Sequence, residues 1–198
     1  ELLTRAAVVN GPESLTAHLA DMSRAVGEAT RGYDSRVTSG GHFIIRWQPG
    51  VDEVMIPWVD RALETTWETL TARFGQTPEA PVRVEIYPRT ETLAAVTPLT
   101  EDEIRQSGTI ALCKYNRLMI TSPRDLVYGY NWADTLAHEF IHMLIVQRSK
   151  NTVPIWLHEG LATYYEVLWR GGVPRLEPRE ETLLAQALAS DSLVSFEA

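Results

Sequence analysis

Apolar residues recur at helical spacing early in the chain, where Leu15, Leu19, Met22 and Val26 follow a Gly11-Pro12 turn and the cap candidate Ser14. Gly32 and the Gly40-Gly41 pair interrupt that pattern. His42-Phe43-Ile44-Ile45-Arg46-Trp47 then reads as a strand ended by Pro49-Gly50. From Asp52 the spacing predicts a long helix with Val59, Leu63, Thr66, Trp67 and Leu70 on one face and Gly75 at its end. Val82, Val84 and Ile86 alternate with Arg83 and Glu85, the pattern of a half-buried strand. Thr90 is placed to cap a short helix through Leu93 and Val96.

Two β-prone runs, 108–113 and 117–122, flank a short polar connection at 114–116 and predict a hairpin closed by Pro123. A strongly apolar helix is expected over 132–148, with Asn131 as cap and Asp134 placed for a capping box. A second follows Pro154 over about 155–170 and stops at Gly171-Gly172, and an amphipathic helix covers about 179–189. Strands and helices therefore mix in an α+β pattern without an internal repeat. Residues 1–35 read as an N-terminal helical segment, plausible as the end of a preceding helical module, and 36–198 as the main domain. The apolar run Leu193-Val194-Ser195-Phe196 is interrupted rather than finished, which predicts that the domain continues past Ala198.

Composition narrows the function classes. A chain of 198 residues can bury a core without disulfides. Net charge is -8 and no stretch concentrates Lys or Arg, which argues against a nucleic-acid partner. No apolar run approaches the roughly 20 residues of a membrane span. Cys113 is the single cysteine, so an internal disulfide and a Cys-rich zinc site are excluded, and its expected role is a small buried apolar residue.

The chemistry concentrates in Ala137-His138-Glu139-Phe140-Ile141-His142-Met143. Positions four apart on a helix differ by about 40°, so His138 and His142 share a face one turn apart and can reach one metal ion. Glu139 lies about 60° from His142 on the same side, suited to a base acting on a water rather than to a ligand. This composition would produce a chance His-Glu-x-x-His about 1% of the time, and such chance matches favour exposed segments. Here the flanks are apolar nearly all round, and a buried carboxylate without a partner costs several kcal/mol. Glu159 stands on the next predicted helix, in Pro154-Ile-Trp-Leu-His-Glu159-Gly160-Leu-Ala-Thr-Tyr-Tyr. There it interrupts an apolar face of Trp156, Leu157, Leu161 and Tyr164, and Gly160 is expected to let a neighbouring backbone approach closely. Two acids on adjacent apolar helices point to one shared partner.

The pair His138-Glu139-x-x-His142 and Trp156-Leu-x-Glu159-Gly160-x-Ala162 resembles the gluzincin metallopeptidases, in particular the bacterial peptidase MA-like family. The resemblance covers roughly residues 43–169. It implies a zincin-like fold, one Zn2+ held by His138, His142 and Glu159, Glu139 as general base, and a peptide or protein substrate. It further implies that the hairpin forms a sheet edge above the site, to which an extended peptide adds as a strand. Relatives often carry an acid four residues past the third ligand; Thr163 stands there, so a ligand histidine must be oriented from elsewhere. Relatives are frequently exported, which favours an extracytoplasmic location.

Two other readings remain open at this level: an inactive zincin-like domain that binds a peptide or partner without cutting, and a zinc hydrolase of non-peptide substrates. The intact Glu139 speaks against the first. His158 points about 100° from Glu159 and reads first as a surface or interhelix histidine. Tyr164 and Tyr165 read as packing before oxyanion donors. Asp134 could orient His138, but helix capping explains it equally well. Lys114 and Tyr115 read as a solvated hairpin tip, His18 and His42 carry no assigned function, and the six tryptophans read mainly as core. Substrate specificity and oligomeric state are not encoded at this level.

Overall fold

The computed structural model describes residues 15–176 and 178–193. The Gly11-Pro12 turn, Ser14 and the apolar run past Leu193 lie outside the described residues. Helix α1 (Leu15–Ala29) leads into β1 (Asp34–Val37) and β2 (Phe43–Trp47). A 3-10 turn (Val51–Met55) opens α2 (Ile56–Phe74), which is followed by β3 (Val82–Tyr87), α3 (Thr90–Val96) and α4 (Glu101–Ser107). The hairpin of β4 (Ala111–Lys114) and β5 (Arg117–Thr121) precedes α5 (Trp132–Ser149), α6 (Ile155–Tyr165) and α7 (Pro178–Ala189).

The strands form one five-stranded mixed sheet in the order β1-β2-β3-β5-β4. β2, β3 and β5 run parallel, while β1 and β4 pair antiparallel at the two edges. Parallel neighbours need crossover connections, supplied by α2 between β2 and β3 and by α3 and α4 between β3 and the hairpin. The hairpin turn is Tyr115-Asn116, both with positive φ (53° and 58°), the geometry whose twist matches paired strands.

Side chains alternate across this sheet, and helices cover both faces. Phe43, Ile45, Val84, Ile86, Leu118 and Ile120 pack against α2 and α5. Phe43 meets Trp67 and Phe140 edge to face, with ring centroids 5.6 and 5.5 Å apart. The predicted face of α2 is buried in full: Val59, Leu63, Thr66, Trp67 and Leu70. Gly75 ends it with φ 58°. On the opposite face Tyr87, Leu93, Val96, Ile104 and Met119 pack with Val26 and Ala29 of α1.

That second layer corrects the half-buried reading of β3, because Glu85 is 0% exposed. It is held by Arg117 at 2.8 Å, Arg46 at 3.3 Å and the Tyr87 hydroxyl at 2.7 Å. Thr90 does not cap α3 through its own side chain; the Asp125 carboxylate accepts from its backbone N–H and its hydroxyl, each at 2.8 Å. Helix α2 starts at Ile56 rather than Asp52, with Pro in its first turn, because 51–55 winds as a 3-10 turn. Two of the six tryptophans, Trp58 and Trp156, are exposed rather than core.

A local cluster braces the β1–β2 turn. Glu64 of α2 accepts from the Thr38 hydroxyl, the His42 N–H and the His42 ring, whose Nδ1 lies at 2.6 Å. A Cβ at Gly40 would collide with this carboxylate. Burial pushes the Glu64 pKa up, but the bonds from His42 and Thr38 outweigh it and the value is lowered. A depressed carboxylate contributes stability above its unfolded pKa and loses it as pH falls through the folded one. Glu64→Gln is therefore expected to cost about 1 kcal/mol at pH 7 in urea denaturation, a difference that shrinks in acid.

Candidate metal centre

Helix α5 is buried along Leu136, Ala137, Phe140, Ile141, Met143, Leu144 and Ile145, so its apolar rows face the sheet and α2. The remaining face turns His138, Glu139 and His142 toward β4 and α6. Candidate ligand atoms of these three lie within 4.8 Å of one another, and the two imidazoles stand nearly perpendicular with centroids 4.7 Å apart. Lys150, at φ 53°, closes the helix. Asn131 makes no side-chain cap bond. Asp134 neither completes a capping box nor touches His138. Its carboxylate instead accepts from Trp169 Nε1 at 2.9 Å and from Arg170 Nε at 2.9 Å and Nη2 at 3.0 Å.

Helix α6 ends at Tyr165, earlier than the spacing predicts, and a separate 3-10 turn (Leu168–Arg170) carries the chain to Gly171 at φ 70°. Its packing also differs. The buried residues are His158 and Ala162, whereas Trp156 and Tyr164 are exposed and Glu159 does not sit in an apolar face. Gly160 faces open space, with nothing within 4 Å of where a methyl group would stand, so it brings no backbone close. Ala162 is the fully buried residue of this helix. Relative to it, helical rotation puts His158 and Glu166 about 40° to either side and Glu159 about 60° away. All three can thus reach across to α5.

They do. Glu159 Oε2 lies 3.3 Å from Nε2 of His138, and Oε1 lies 3.6 Å from Nε2 of His142. The Nδ1 of His138 donates to Glu166 Oε2 at 2.8 Å, and the Nδ1 of His142 pairs with Nδ1 of His158 at 2.7 Å. Both rings are therefore engaged from behind and present their Nε2 atoms to one carboxylate. No motif marks Glu166 in the sequence, and His158, expected as a surface or interhelix histidine, is buried with its ring against His142. The i, i+3, i+7 spacing of Glu159, Ala162 and Glu166 puts the three on one side of the helix, but it does not say which neighbour that side meets.

The electrostatics follow from burial among acids. Burial pushes the Glu139 pKa up to about 7, opposed by His138 and by the Cys113 N–H it accepts, and aided by Glu159. Burial alone would lower His138, but the Glu166 bond and the carboxylates of Glu139, Glu166 and Glu159 raise it. Burial and the neighbouring His138 lower His142, and burial lowers His158. The Cys113 side chain is partly buried and its thiol is pushed up by burial and by Glu139, so it is inert as a nucleophile.

Beside these groups runs a cleft of about 1050 Å³ lined along the whole of β4 and its flanks, from Gly108 to Asn116. Tyr115 and Lys114 line its hairpin end, the Lys114 ammonium 5.4 Å from the Tyr115 ring centroid. Two imidazole nitrogens and a carboxylate are a donor set zinc takes, and two donors at about 2.0–2.1 Å from a tetrahedral ion lie about 3.3 Å apart. Glu159 comes near that spacing with a different oxygen for each ring, so the donor chemistry present suits such an ion. The family model described as Peptidase MA superfamily matches residues 63–198, more than half of the chain.

The chain belongs to the Peptidase MA superfamily. The matched span contains β3, the hairpin, α5 and α6, and so every residue of the cluster. The mixed sheet and its helices are consistent with a peptidase MA domain. No curated protein shows significant similarity to the chain. Peptidase MA membership accounts for a metallopeptidase-like site, and no described helix is long and apolar enough to cross a membrane.

Proposed function

We propose that this Peptidase MA domain is a zinc-dependent peptidase in which His138, His142 and Glu159 hold the ion and Glu139 is the general base. The observation that carries this reading is the convergence of both Nε2 atoms on Glu159 at 3.3 and 3.6 Å, while both Nδ1 atoms are occupied by other partners. Glu139 also lies in the cluster, but it is 7% exposed, whereas the Glu159 side chain is 54% exposed and open to a ligand. The donor chemistry favours Glu159 as ligand and leaves Glu139 as base.

When bound, a zinc ion would acidify a water and polarise the scissile carbonyl. Everything else falls to the chain. β4, the last strand of the sheet and a wall of the cleft, offers an extended peptide a strand to pair with, which would lay its backbone along the cleft. Glu139 takes a proton from the attacking water and delivers it to the leaving amine. Its buried position keeps it basic enough to do so near neutral pH.

The test is metal content together with hydrolysis of an internally quenched peptide library. The chain is expected to bind one zinc ion, to lose turnover on chelation and to regain it on zinc addition. Glu159→Ala should bind zinc far more weakly. Turnover that survives complete chelation, or a wild-type chain that takes up no stoichiometric zinc, would overturn the proposal. A chain that binds zinc but cuts no library member would point to a binding domain.

A further inference from the structure

We infer that Glu166 and His158 are the positioning residues of this centre, Glu166 fixing the ring of His138 and His158 the ring of His142; this rests on both histidines being ligands. An imidazole that offers its Nε2 lone pair must carry its proton on Nδ1, and that N–H needs an acceptor. For His138 the acceptor is Glu166 Oε2 at 2.8 Å, and for His142 it is His158 Nδ1 at 2.7 Å. The second contact sets two tautomers at once: His142 donates, so His158 carries its own proton on Nε2.

Other candidates for this role are otherwise committed. Asp134, one turn before His138, is taken by Trp169 and Arg170. Thr163 is exposed. The Asp134 contacts in turn explain why Glu166 is held in place, since Trp169 and Arg170 follow it closely and tie its segment to the first turn of α5. One short stretch, His158 to Glu166, thus supplies the third ligand and both supports. Apolar packing of α6 through Leu161, Ala162 and Tyr165 is separate from these polar contacts. Their removal should therefore disturb the metal centre before the fold. The supports also differ in kind: a carboxylate strengthens His138 as a donor, whereas a neutral imidazole only orients His142.

The test compares wild type with Glu166→Gln, His158→Phe and His158→Gln, the last keeping a side-chain acceptor. Zinc affinity is measured by competition with a chromophoric chelator, the visible absorption of the cobalt-loaded chain is recorded, and the metal-free fold is followed by circular dichroism. Glu166→Gln and His158→Phe are expected to weaken zinc binding about 10–100-fold and to alter the cobalt spectrum. His158→Gln should restore most of the loss, and all three metal-free variants should stay folded, with only a small fall in melting temperature beside the loss of zinc affinity. Wild-type affinity and spectrum in Glu166→Gln and His158→Phe would overturn the assignment, as would affinity losses matched by equal loss of the metal-free fold. Failure of wild type itself to bind zinc would instead remove the ligand reading beneath it.

Discussion

Glu139→Gln is expected to keep zinc affinity near wild type and to lower peptide hydrolysis by about 10²–10⁴-fold, the usual contribution of a positioned proton acceptor. The amide matches the carboxylate in size and shape, so the geometry of the cleft should persist. What it lacks is an oxygen that takes a proton. Steady-state assay of the quenched library beside metal analysis checks both halves of the claim. Equal loss of zinc and turnover would show Glu139 to be a ligand, and unchanged turnover would remove it from catalysis.

The same variant has a second expected signature, in the metal-free chain. Burial raises the folded pKa of Glu139 to about 7. A raised acid binds more protons folded than unfolded, so wild-type stability is greatest below the unfolded carboxylate value and declines as pH climbs through 7. The glutamine variant has no proton to lose there. At pH 8 it should exceed metal-free wild type by roughly 2–4 kcal/mol in urea denaturation, with the two converging at acid pH.

The reach of sequence reasoning here divides along a physical line. Contacts governed by local periodicity are legible: the buried stripe of α2, the hairpin (though its turn is Tyr115-Asn116 alone, with Lys114 inside β4 rather than in the connection), and the one-turn spacing of His138 and His142. The placement of Glu159 beside both histidines follows a second motif, the one around it on the next helix. Contacts governed by which helix face meets which neighbour are not legible. Rotation of α6 about Ala162 rather than Glu159 decides that His158 and Glu166 reach α5, and no spacing within α6 alone sets that angle. Asp134 shows the same limit, since capping and orienting roles both suit its position while its partners, Trp169 and Arg170, lie on a turn that periodicity merges into α6. Helix α4 is marked by the Thr100–Glu103 capping box, a local signal that the apolar spacing alone does not reveal. β1 carries none, because its four residues are exposed and acquire strand geometry only by pairing with β2.

Glu85 is the sharpest instance, and it yields the largest expected effect on stability. Alternation along β3 makes its position look solvent-facing, yet α1 and α3 cover that face. The carboxylate balances two guanidiniums whose side chains are only 25% and 11% exposed, and it accepts from the Tyr87 hydroxyl. Burial, with the adjacent Glu85 charge, pushes the Tyr87 pKa well above its ordinary value, so that hydroxyl stays a donor. Glu85→Ala leaves Arg46 and Arg117 facing each other across β3 with their anion gone, a loss of about 3–5 kcal/mol. For a domain of this length that lowers the melting temperature by roughly 10 °C or more. Glu85→Gln, which keeps an acceptor for Arg117 but drops the charge, should fall between the two. Calorimetry on the metal-free chain isolates the effect, because this cluster lies on the sheet face opposite α5. A melting point unmoved in Glu85→Ala would mean that the guanidiniums find water readily and that the second layer of helices is looser than its packing implies.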